Sequence, residues 1–80
     1  MPAYENKFAV GTTVRIADLP ELEAFCQSWH FHHPLEREQL RFAGQIARVA
    51  NVSVYHGGDV LYGLENVPGI WHERCLRGPA

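Results

Sequence analysis

Lysine is nearly missing from this chain: Lys7 stands alone, and the arginines are scattered rather than grouped. With a formal charge of −2, no basic stripe exists to neutralise a phosphate backbone, which works against a nucleic-acid-binding barrel. No apolar run approaches the roughly 18 residues that a membrane helix needs. Nor does the sequence open on a charged-then-apolar leader, so a cytoplasmic protein with no membrane partner is expected. Only two cysteines occur, Cys26 and Cys75, and in a reducing compartment free thiols are the expected state. At 80 residues the chain is one domain, residues 1–80. So short a chain buries only about 60–65% of its unfolded surface, so its stability should be modest.

What is present is β-patterned. From Leu40 to Leu64, apolar and β-branched residues run up to Tyr55, break at Gly57-Gly58, and resume with Val60, Tyr62 and Leu64 in alternation. A Gly-Gly connection supplies the φ > 0 positions of a tight turn, which predicts a β-hairpin with its tip near Gly57. The Gly57-Gly58-Asp59 tip has no following helix or lysine, so it is a turn rather than a phosphate cradle. Upstream, Thr12 to Ile16 reads as a first strand.

The period then changes. Asp18-Leu19-Pro20-Glu21 has the form of a helix start, with an Asp cap, Pro in the first turn and Glu three residues after the cap. Leu19, Leu22, Phe25, Cys26 and Trp29 follow as a helical stripe that should end near Trp29 or His30. Leu35 to Gln39 suits one short turn. Glu65 to Gly69 is expected to be a turn centred on Pro68-Gly69, followed by a short strand Ile70 to His72 and a single helical turn over Glu73 to Leu76. Residues 1–7 and 77–80 are expected to be loose.

The order is therefore strand, helix-bearing insert (about residues 18–40), long hairpin, short Trp strand and terminal turn. This describes a mainly β fold, a small SH3-like barrel with one α-helix inserted in its first long loop. Val14-Arg15-Ile16 opens it. His33-Pro34, six residues, then Arg41-Phe42-Ala43-Gly44-Gln45-Ile46 leads into the second strand; Tyr62-Gly63-Leu64-Glu65 supplies the third, and Trp71 stands near the end. On these residues the chain resembles the barrel domain of nitrile hydratase β subunits. It is also similar to electron-transport accessory barrels such as the variable chain of ferredoxin–thioredoxin reductase. Phe42-Ala43 departs from the Arg-Gly step of the first family. The resemblance implies a non-catalytic accessory subunit that packs on a catalytic partner, with no catalytic residue and no cofactor of its own. In nitrile hydratase the metal ligands lie on the other subunit, in a Cys-rich motif that this chain lacks.

Aromatic residues supply the expected contact surface. Phe8, Phe25, Phe42, Tyr62 and one tryptophan should fill the core, leaving too many rings to bury. Partner-binding positions are accordingly expected in the insert (Trp29, Phe31, His32, His33, Leu35) and at the rim (Tyr55, His56, Trp71, His72), since aromatics beside polar rim residues make binding hot spots. A homo-oligomer would cover the same rings. A second reading takes Cys26 and His30, at i and i+4, with His72 and Cys75 as a zinc or iron cluster in a small metal-dependent regulator. Cys26 beside a histidine and Glu21 or Glu73 has the residue types for nucleophilic catalysis, but no motif frames the nucleophile and so small a barrel has little depth for a substrate.

Overall fold

The computed structural model describes residues 7–55 and 58–80. Five antiparallel strands form one sheet in the order β4-β3-β2-β1-β5, curled into a half-barrel with one α-helix. They are β1 (Thr13–Ile16), β2 (Ile46–Val54), β3 (Val60–Leu64), β4 (Val67–His72) and β5 (Leu76–Arg77). The nine-residue β2 gives the sheet its curl. Its first part pairs with β1 (Thr13 opposite Arg48), and its remainder with β3 (Val52 opposite Tyr62). The register slips between Val49 and Asn51, and a bulge of this kind bends a strand and raises its twist. Asn51 faces Gly63 across the slip, where an added Cβ would lie 2.6 Å from the Asn51 amide.

The hairpin thus forms at the expected place, with Val54 opposite Val60, although its expected tip at Gly57 lies outside the described residues. The Pro68-Gly69 turn does not form. The chain reverses three residues earlier, at Glu65-Asn66, where Asn66 takes φ 62°, a conformation that asparagine tolerates. Pro68 and Gly69 instead lie within β4. As an edge strand, β4 can accept a proline because no neighbour needs its missing N–H.

The insert carries α1 (Leu19–Ser28) and a 3₁₀ helix, Arg37–Phe42. Leu22 and Phe25 are buried, whereas Leu19 is exposed. Asp18 occupies the cap position without making a side-chain capping bond. Its carboxylate instead accepts a 2.8 Å bond from the Arg15 guanidinium, so an ion pair replaces the expected cap. A reciprocal capping box does form at the 3₁₀ helix, between Glu36 and Gln39. Buried Gln39 also donates from Nε2 to the Ile70 carbonyl at 3.1 Å, tying the insert to the outer edge of β4.

One core lies inside the curl. Val14, Ile16, Val49, Tyr62, Trp71 and Leu76 are almost wholly buried, and Phe8 caps them with its ring 5.7 Å from that of Tyr62. The Tyr62 hydroxyl accepts the Phe8 N–H and donates to Glu73 at 2.6 Å, and Glu73 also accepts the Lys7 N–H. Burial, with the Glu73 hydrogen bond, pushes the Tyr62 phenol up to about 12. Near the C-terminal end, Arg77 pairs with Arg15 in β5, and the Ala80 N–H donates to the Thr13 carbonyl at 2.8 Å.

Candidate functional site: an aromatic and histidine face

The insert and the β2–β3 hairpin meet through side chains that the sequence places far apart. After α1, Trp29 caps the helix and its indole N–H donates to the His32 carbonyl at 2.7 Å. This bond folds the chain back over the hairpin. The His32 ring then stacks on Tyr55, with centroids 3.8 Å apart and planes 19° apart. On its other edge, His32 Nε2 lies 2.8 Å from an Asp59 carboxylate oxygen. A carboxylate can only accept, so Nε2 carries the proton.

His32 Nδ1 in turn lies 2.8 Å from His33 Nδ1, with a single proton between the two rings. His33 adopts φ 49° immediately before Pro34. A β-carbon-bearing residue in this left-handed region costs about 1–3 kcal/mol, which the surrounding contacts must offset. One such contact is the His33 carbonyl, which accepts from His72 Nε2 at 2.8 Å. His72 lies against Trp29, 4.7 Å between centroids, and against Phe25 at 5.0 Å. Burial lowers the His72 pKa, favouring the neutral ring, and the His33 carbonyl, which can only accept, places its proton on Nε2.

Phe31 completes the outer surface. It is 69% exposed and meets Trp29 edge-on at 5.1 Å. Tyr55 is 38% exposed and Trp29 half-buried, while the Arg74 guanidinium sits over the Trp29 ring at 5.4 Å. The result is a ridge of rings whose inner members are locked and whose outer members face solvent. Beside it an open depression of about 520 Å³ is bordered by Asp59, His72, Arg74 and Lys7. A smaller one of about 260 Å³ lies between His33, Pro34, Gln39 and Ile70.

Of the residues expected to bind a partner, Trp29, Phe31, His32, His33 and Tyr55 come together on this face, with Leu35 packed against the core nearby. Two do not fit. Trp71 is 0% exposed and is the tryptophan that fills the core, and His72 is 3% exposed, supporting the ridge from beneath. His56 lies outside the described residues.

The four-residue metal cluster does not assemble. Cys75 is buried, Cys26 half-buried and His30 exposed, and His72 is committed to the His33 carbonyl. Among the described residues no group of three or more His, Cys, Asp or Glu side chains could hold a metal ion. Burial pushes the Cys75 thiol up to about 12, and burial with the nearby Glu23 charge raises that of Cys26. Both shifts disfavour the thiolate that nucleophilic chemistry requires.

Sequence reasoning missed Asp59 and Arg74. Asp59 reads as a turn residue, and nothing local announces a bond to a histidine 27 positions away. No family model matches this chain, and no curated protein or solved structure matches it.

Proposed function

We propose that this chain is a non-catalytic accessory module that docks on an enzyme partner through the ridge formed by Trp29, Phe31, His32, His33 and Tyr55. The observation that carries this reading is the pairing of a locked base with exposed rings. His32 is held on two sides by Asp59 and Tyr55, while Phe31 stands mostly in solvent. Rings fixed before binding lose little side-chain entropy on docking, and aromatic anchors contribute most where the contact excludes water.

An SH3-like barrel of the nitrile hydratase β-subunit kind is the finer form of this reading. It is supported by the element order: a first strand, a helix-bearing insert, a long hairpin, a Trp-bearing strand, a 3₁₀ turn over Glu73–Cys75 and a last strand paired back to the first. The partner would then be a catalytic subunit, and this chain would shape its surface without contributing covalent chemistry.

A photo-crosslinking amino acid at position 31, with one at exposed Ile46 as control, tests the proposal in cells that make the protein. One dominant adduct from position 31, absent from position 46 and lost on Tyr55→Ala, is the expected result. Adducts that are alike from both positions, or none from position 31, would overturn it.

A further inference from the structure

We propose that His32 and His33 form a binding site for a borderline divalent transition-metal ion, with Zn²⁺ as its probe, the ion replacing the proton that the two rings share. This inference does not depend on the docking role, because it needs only the two rings and Asp59.

Neighbouring side chains on an extended chain point to opposite sides. The φ of 49° at His33 cancels that alternation, and the two Nδ1 atoms converge to 2.8 Å. Asp59 holds the proton of His32 on Nε2, so the Nδ1 lone pair of His32 points toward His33. A neutral imidazole nitrogen with a carboxylate on its other nitrogen is the usual form of a histidine metal ligand, since the carboxylate fixes the tautomer and raises the basicity of the donor atom. His33 has only to move its proton from Nδ1 to Nε2 to present a second lone pair at the same point.

The required movement is a short separation with a tilt. Zinc–nitrogen bonds of about 2.0–2.1 Å at tetrahedral angles place two ligating nitrogens about 3.3 Å apart. The rings must therefore separate by about half an ångström from their hydrogen-bonded contact and tilt by roughly 35° so that both lone pairs meet at the ion. The Tyr55 stack and the Trp29 bond to the His32 carbonyl hold His32 while His33 adjusts. Since no third His, Cys, Asp or Glu joins the pair among the described residues, two coordination positions stay open to water or to a group from outside the chain.

The test is a zinc chloride titration at neutral pH of protein carrying ¹⁵N-labelled histidine, followed through the ring nitrogen signals, with Mg²⁺ as control. The Nδ1 signals of His32 and His33 are expected to move together and saturate with one Zn²⁺ ion, and to ignore Mg²⁺, which prefers oxygen ligands. Asp59→Asn should weaken binding about 10–100-fold through the loss of its charge behind His32. His33→Asn should abolish it, and asparagine accepts the left-handed backbone, so the amide spectrum should stay folded. Nδ1 signals that do not move in excess zinc would overturn the proposal. So would a response centred on His30 or His72, or undiminished binding in either variant.

Discussion

The His32 ring lies flat on Tyr55 at a centroid separation of 3.8 Å, and this stack joins the β1–β2 insert to the β2–β3 hairpin. Stacked rings contribute about 0.5–1.5 kcal/mol beyond the area they bury. Tyr55→Ala is therefore expected to lower global stability by about 1 kcal/mol. Its larger effect should be local, with amide exchange over Trp29 to Leu35 accelerating while β1 and β3 keep their protection. Hydrogen exchange resolved by peptide measures both.

Trp71 is the largest of the fully buried side chains, so Trp71→Ala is expected to cost about 3–5 kcal/mol and to leave the domain largely unfolded by circular dichroism. Its indole N–H finds no acceptor among the described residues. Trp71→Phe forfeits no hydrogen bond and should stay folded with a lower Tm. A rim tryptophan would give the reverse: an unchanged fold in both variants.

Burial lowers the His72 pKa below its ordinary value of 6.5, which sets a pH dependence of definite sign. Above pH 6.5 the ring is neutral in the folded and unfolded chain alike, and its full contribution is present. Below that pH the unfolded chain takes up the proton first, so stability falls as pH falls, until the lower folded pKa is reached. Urea midpoints measured from pH 7.5 to 5 should decline in the wild type and decline less in His72→Gln. Carboxylates titrate mostly below this window.

Gly69 has φ 97° and would bring a Cβ within 2.6 Å of the Gln39 amide. Gly11 has φ 91° but nothing near it. Both alanine variants carry the backbone cost, roughly 1 kcal/mol. Only Gly69→Ala must also displace Gln39 from the Ile70 carbonyl. Thermal unfolding should rank Gly69→Ala clearly below Gly11→Ala, and equal Tm values would show that Gln39 does not tie the insert to β4.

Much of the fold was legible because it is written in local pattern. The alternation of Val60, Tyr62 and Leu64 marks β3, and the spacing of Leu22 and Phe25 marks the buried side of α1. The two-residue β5 was not legible, since Leu76-Arg77 is a strand only by virtue of pairing with β1. Pro68-Gly69 misled because an edge strand tolerates what an interior strand does not. At the site, the rings could be named from composition. Their sorting could not: Trp29 and Trp71 differ in burial because of where the insert folds, and Asp59 joins His32 only through that fold.

The most direct measurement is the mass of the native complex that the protein brings out of its own cells, wild type against Phe31→Ser. Phe31 is mostly in solvent, so the serine variant should fold as the wild type does. A docking module predicts a single partner at fixed stoichiometry with the wild type and the bare chain with the variant. The same partner retained by both, or the bare chain from both, would contradict docking through this ridge.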